Sequence, residues 1–303
     1  MRLVFAGTPE TAVASLEGLA SSRHEVAAVI TRPDAPTGRG RRLAPSPVGA
    51  RAAELGVEVL KPGRPSEPEF LARLGELAPD VCPVVAYGGL LPQVALDIPR
   101  HGWVNLHFSV LPRWRGAAPV QRAIMAGDDE VGTTVFRIVR ELDAGDVHLS
   151  QSVPRPQATA GEVLEQLARS GAEQLLAALD LVEAGVAPTP QPADGITLAP
   201  KLTVAEARID WSRPSEELVN HVLGCSPDPG AWCEVDGERF KVYRAAVGSG
   251  DSPGPGALVP SRRSALVGTG DGVVELLEVQ PAGRRRMAAG DWARNVGAGT
   301  VLG

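Results

Sequence analysis

From Arg2 to Glu183 the chain alternates short apolar runs with stretches in which apolar side chains recur every three or four positions. Arg2 to Ala6 reads as a strand closed by Gly7-Thr8-Pro9, Thr11 to Ser21 as a helix, Glu25 to Thr31 as a strand, Pro45 to Leu55 as a helix and Val57 to Leu60 as extended chain. A helix over Glu67 to Leu77, a strand over Val81 to Tyr87, a short helix over Leu91 to Leu96, an apolar strand from Trp103 and a helix over Pro119 to Met125 continue the series. Two further strands, Val131 to Val139 and Val147 to Val153, flank the loop Arg140 to Asp146. A long helix from Thr159 to Glu183, with Gly185 just past its end, closes the unit. Alternation of this kind buries both faces of a parallel sheet, so an α/β domain is expected over residues 1–188.

From Val186 to Leu202 the periodicity stops and four prolines appear, the composition of a semi-rigid linker, drawn here as residues 189–206. Beyond it, over 207–303, a helix near Pro214 to Leu223 precedes short β-rich runs at Ala231 to Val235, Phe240 to Val247, Gly256 to Val259, Leu266 to Gly268 and Val273 to Val279. Asp236-Gly237 between the first two is a hairpin signal. Periodicity alone leaves barrel and sandwich open for this second, mostly β domain.

The 303 residues, 44% of them hydrophobic, suffice for full-sized cores. No run approaches eighteen apolar residues and the chain opens directly into a strand pattern, so neither membrane span nor signal peptide is expected and a cytoplasmic enzyme is the default. Cys82, Cys225 and Cys233 cannot all pair, lack Cys-x-x-Cys spacing and read as reduced thiols. A net charge of −6 argues against a protein coated in nucleic acid, yet basic residues cluster locally: Arg32, Arg39, Arg41 and Arg42 against Asp34, and Arg284, Arg285 and Arg286 in a later loop. Such runs are also what solvated surface charge looks like. Gly7-Thr8-Pro9 lacks the GxGxxG pattern, so nicotinamide binding is not expected.

Within Trp103-Val-Asn-Leu-His-Phe-Ser109, Asn105 and His107 stand two apart and share one face of the strand. An amide beside a titratable base at a strand's carboxyl end, followed by a Pro/Gly-rich turn, suits a crevice that stabilises an oxyanion and moves a proton. A buried histidine that only satisfies a backbone partner fits the spacing equally well.

The continuation Val110-Leu-Pro-Arg-Trp-Arg-Gly-Ala-Ala-Pro119, with Phe5-Ala-Gly-Thr-Pro9, Pro33-Asp-Ala-Pro-Thr-Gly-Arg-Gly40, Val84-Val-Ala-Tyr-Gly88, Leu142-Asp-Ala-Gly-Asp146, Ala207-Arg-Ile-Asp-Trp211 and Gln280-Pro-Ala-Gly283, resembles the folate-dependent formyltransferases, in particular those acting on methionyl-tRNA. Val110 replaces a Leu of the pattern, and Leu223 stands where the resemblance has an Arg. The resemblance implies a Rossmann-like formyltransferase domain followed by an oligonucleotide-binding-like (OB-like) β-barrel. It implies 10-formyltetrahydrofolate as co-substrate without a metal, initiator methionyl-tRNA as partner and a monomeric enzyme. Asn105, His107 and Asp143 match its catalytic positions, Asp146 being the local competitor of Asp143. Folate is expected against Tyr87, Gly88, Gly89, Leu90 and Leu91, with Ser109, Val110, Leu111 and Pro112 as the adjacent wall. The fifteen-residue loop Pro33 to Pro47 exceeds the usual βα connection of about two to six. By the resemblance, Arg39, Arg41 and Arg42 hold the acceptor arm, with Arg284 and Arg285 following a phosphate backbone. Close alternatives are a sugar-nucleotide N-formyltransferase, a formyltetrahydrofolate hydrolase and a tRNA-binding module without catalysis.

Overall fold

A computed structural model describes residues 1–37, 42–260, 264–294, 296–297 and 299–303. The chain folds into two compact units, the first comprising Met1–Arg115, Gly132–Val153 and Leu164–Leu198, the second Gly116–Val131, Pro154–Val163 and Ala199–Gly303. Among the described residues no helix is long and apolar enough to cross a membrane.

The sheet of the first unit is built from β1 (Arg2–Gly7), β2 (Glu25–Ile30), β3 (Glu58–Leu60), β4 (Cys82–Val85), β5 (Trp103–His107), β6 (Glu130–Arg137) and β7 (Val147–Pro154), in the order β7-β6-β5-β4-β1-β2-β3. β1 to β5 run parallel, and β6 pairs with β5 in the opposite sense. The buried strands are Val-rich because helices cover them. These are α1 (Val13–Ala20), α2 (Pro47–Glu54), α3 (Pro68–Leu77), the single turn α4 (Gln93–Leu96) and most of α6 (Ala160–Glu183), whose range leaves α5 for Pro119–Met125. Local chemistry fixes the helix starts. Ser46 Oγ accepts from Gly49 N at 3.0 Å with Pro47 at the first helical position, and Thr159 and Glu162 form a reciprocal capping box ahead of α6. On one face of the sheet Val4, Ile30, Phe70, Leu74, Tyr87 and Trp103 pack together, and the indole of Trp103 donates to Ala95 O at 2.8 Å. The long βα connection read as a loop is a short hairpin, Ala35–Thr37 paired with Arg42–Ala44.

The second unit carries an antiparallel half-barrel. Its strands are β8 (Ala231–Val235), β9 (Glu238–Val247), β10 (Leu258–Pro260), β11 (Ala265–Gly268) and β12 (Val273–Gln280), with β13 (Met287–Ala288) pairing on β12. Asp236 and Gly237, at φ 53° and 76°, form the turn between β8 and β9, as an Asp-Gly hairpin requires. The helix α7 (Ser215–Cys225) packs on β9 and on α5. Gly224 sets that approach: a Cβ there would lie 2.4 Å from Met125 Cγ and 2.9 Å from Gln121 O. Arg122 also donates to Pro200 O and Glu206, and Arg155 to Asp128 O and Asn220, so residues 116–131 and 154–163 gather with the second unit although they precede the linker.

Candidate active site

Asn105 and His107 occupy the carboxyl half of β5, the first opposite Val84 and Phe136 and the second opposite Thr134. Asn105 keeps part of its surface in solvent, whereas His107 is 5% exposed and stands edge-on to Phe136 with ring centroids 6.3 Å apart. His107 Nε2 lies 2.9 Å from the carbonyl of Trp114, which can only accept, so this nitrogen carries the hydrogen. Nδ1 faces Asp143 Oδ2 at 3.9 Å, too far for a direct hydrogen bond. Desolvation pushes the imidazole below its ordinary 6.5 and outweighs the upward pull of Asp143 and of the Trp114 carbonyl. The downward push favours the neutral imidazole, which with its hydrogen on Nε2 turns an unprotonated Nδ1 toward Asp143.

Two loops meet around this pair. Thr134 Oγ1 donates to Ser109 O at 2.7 Å and accepts from Leu111 N at 3.1 Å, and Ser109 Oγ donates to Arg113 O at 2.7 Å. These bonds aim the carbonyl of Trp114, whose φ of +62° is left-handed. Asp143 lies in the second loop at φ +48°, while Asp146, its competitor by sequence, is exposed and uses its carbonyl on Arg137 N at 2.8 Å.

The Asp143 loop is also one wall of a cleft of about 290 Å³, lined among others by Val139, Arg140, Ala144 and Asp146, with Gln93 and Leu96 of α4 opposite. It begins one step beyond the segment expected to hold folate. Tyr87 is buried in the core, Gly88 takes the φ of +74° that a tight turn needs, Gly89 packs on the Tyr87 ring, Leu91 is half-buried and Leu90 is 89% exposed. Val110 is half-buried, whereas Ser109, Leu111 and Pro112 are buried, with Ser109 O and Leu111 N bonded to Thr134 Oγ1. A strand-end pattern cannot tell a residue that shapes a loop from one that lines a ligand. Among the described residues no group of three or more His, Cys, Asp or Glu side chains could hold a metal ion. All three cysteines are free and buried, which raises the thiols of Cys225 and Cys233 to about 12.

Of the basic candidates, Arg39 and Arg41 lie outside the described residues; Arg42 opens the second strand of the hairpin and is exposed. In the second unit Arg284, Arg285 and Arg286 are exposed on the turn after β12, and the Arg286 guanidinium stacks on Tyr243 at 3.5 Å. Sequence reasoning missed a second stack nearby in the sheet, in which Arg239 and Arg208 lie 4.3 and 5.3 Å from the Trp232 ring centroid. Its only linear signal was an aromatic residue on a hairpin strand with Arg and Lys interleaved on the partner strand.

Comparison with known proteins matches residues 1–179 to the formyl transferase family model and residues 201–297 to the formyl transferase C-terminal domain model. The methionyl-tRNA formyltransferase of Streptomyces avermitilis is 57% identical over 98% of this chain and 97% of that protein. Among solved structures, an N-formyltransferase from Helicobacter canadensis in complex with folinic acid and dTDP-3-aminofucose matches with a TM-score of 0.71 at 15% identity, over 92% of this chain and 98% of that one. HypX from Aquifex aeolicus in complex with tetrahydrofolic acid matches with a TM-score of 0.68 at 20% identity over 96% of this chain, which spans 46% of that longer one. At such identities the structural matches speak for the fold alone.

Proposed function

Because the chain belongs to the formyl transferase family over both its parts, we propose that it transfers the formyl group of 10-formyltetrahydrofolate to the α-amine of methionyl initiator tRNA. The observation that carries the choice of acceptor is the near-complete alignment with the Streptomyces enzyme.

A free α-amine titrates near ~8 and the neighbouring ester lowers that further, so the nucleophile needs positioning more than activation. Its nitrogen bonds to the formyl carbon and leaves a tetrahedral centre with an oxyanion and a positively charged nitrogen. Asn105 is the donor for the oxygen. His107 is neutral with Nε2–H tied to Trp114, so Nδ1 takes the proton from the attacking nitrogen, and Asp143 stabilises the imidazolium that forms. The same proton passes to N10 of the folate as the carbon–N10 bond breaks, which regenerates neutral His107 and releases tetrahydrofolate.

The pterin is assigned to the cleft between α4 and the Asp143 loop, where Leu96 and Val139 suit a flat apolar ring and loop backbone its polar edge. Gly88, Gly89, Leu90 and Leu91 stand just before α4 in the chain, and with Tyr87, Ser109, Leu111 and Pro112 they remain the residues proposed to meet the rest of the folate. The acceptor is held by Arg42, Arg284 and Arg285, with Arg39 and Arg41 alongside in the sequence and the stacked Arg239, Arg208 and Arg286 in the second unit. Stacked guanidiniums keep their charge while losing little further freedom on meeting phosphate. Incubation with 10-formyltetrahydrofolate and charged initiator tRNA, beside a sugar-amine control, tests the reading. Formylation of the tRNA alone is the expected result; formylation of the sugar amine alone refutes it.

A further inference from the structure

We propose that the segment from Thr189 to Thr197, compositionally a linker, is a strap in which Gln191 and Thr197 are positioning residues for the His107–Asp143 pair. The inference rests on the formyl-transfer reading of that pair.

The strap begins where Thr189 and Val147 exchange backbone hydrogen bonds at 2.7 and 2.9 Å. Two residues on, the Gln191 side chain is saturated. Its Nε2 donates to Asp143 O and Gly145 O, each at 2.8 Å, and its Oε1 accepts from Arg115 Nη2 at 2.8 Å and Nε at 3.3 Å. At the far end Thr197 Oγ1 accepts from Trp114 N at 2.8 Å, and Thr197 O accepts from Arg115 N at 2.9 Å. One branch therefore ends on the residue that faces His107 Nδ1, the other on the residue whose carbonyl orients His107 Nε2.

Both targets, Asp143 and Trp114, have the left-handed backbone that non-glycine residues rarely adopt and that persists only where the surroundings over-determine it. The strap supplies hydrogen bonds at those two residues from one piece of chain. Buried Arg115 joins the branches, since it meets Gln191 through its side chain and Thr197 through its backbone. An amide is required at 191: two carbonyls need two donors and the guanidinium needs an acceptor, a set that neither an acid nor an amine provides. Because His107 and Asp143 are already 3.9 Å apart, a further drift of about 1 Å weakens the carboxylate's pull on the ring and, as a misplacement of reacting groups, costs on the order of 10²-fold in rate.

The test compares Gln191→Ala, Gln191→Glu, Thr197→Val and Thr197→Ser with wild type in the full chain, following kcat, KM for each substrate and the titration of His107 by NMR. Gln191→Glu keeps an acceptor for Arg115 but loses both donors, which isolates the Asp143 branch. The expected result is a kcat lower by roughly 10–100-fold in Gln191→Ala and Gln191→Glu with both KM values nearly unchanged. The His107 titration should move down toward its value in Asp143→Asn, and Thr197→Ser should retain what Thr197→Val loses. Folded Gln191 variants in which His107 titrates as in wild type overturn the proposal, and should Gln191→Ala fail to fold, Gln191→Glu carries the same comparison. If wild type transfers no formyl group to methionyl-tRNA, the proposed function falls while the titration still decides the strap.

Discussion

His107 in the first unit and Arg239 in the second stand at opposite ends of the solvation scale, and each is suited by its surroundings to the role proposed for it. The imidazole is buried against Phe136 with one nitrogen committed, so its basicity is set by desolvation against the pull of Asp143 and of the Trp114 carbonyl. The guanidinium lies exposed over Trp232, where its charge is strongly screened but its orientation is held. A site that moves a proton needs low dielectric and fixed distances. A surface that grips a polyanion needs many screened charges and tolerates their movement.

The largest test of this contrast is His107→Ala, which should lower kcat by roughly 10²–10⁴-fold in stopped-time formylation assays while leaving folate affinity and salt dependence nearly unchanged. Asp143→Asn sharpens the account of the pair. The wild-type acidic limb of kcat/KM should lie below 6.5, because burial lowers the His107 pKa and the neutral form is the base. Asp143 pulls that pKa upward, so its neutralisation should move the limb further toward acid and cut the rate by about 10²-fold. An unmoved limb would separate Asp143 from His107. Gly224→Ala targets packing in the second unit alone. The added Cβ meets Met125 and Gln121 between α5 and α7, and denaturant unfolding should report a loss of about 1–3 kcal/mol, with the His107 limb where it was. The smallest effect is expected for Arg239→Ala: KM for tRNA should rise a fewfold at constant kcat, and the slope of log KM against log salt should shrink by about 1. A change in kcat there would break the division between the two regions.

The elements were legible because they rest on local rules. The helix expected over Pro45 to Leu55 is α2 at Pro47–Glu54, Asp236-Gly237 is the β8–β9 turn, and Pro119 to Met125 matches α5 residue for residue. Asn105 and His107 share a face by strand period alone. The downward push on the His107 pKa was not legible, since it depends on how completely Phe136 and neighbouring strands exclude water against a carboxylate 3.9 Å away. Nor was Gln191, which lies 48 residues from the carbonyl it holds in a proline-rich stretch with no periodicity to read. Trp232 and Arg239 meet only through the β8–β9 pairing, where the register rather than the spacing brings the ring and the charge together.

By itself the sequence determined the alternation of strand and helix, the run that carries the amide and the imidazole, and the kinship with formyl transferases that pointed to Asp143, because period, turn chemistry and motif are properties of neighbouring residues. Only the tertiary structure decided the burial that pushes the His107 pKa down, the gathering of residues 116–131 and 154–163 with the second unit, and the hydrogen bonds from the proline-rich stretch to the Asp143 loop. Those depend on dielectric, on close packing and on hydrogen bonds closed across long stretches of chain, none of which exists until the fold is complete.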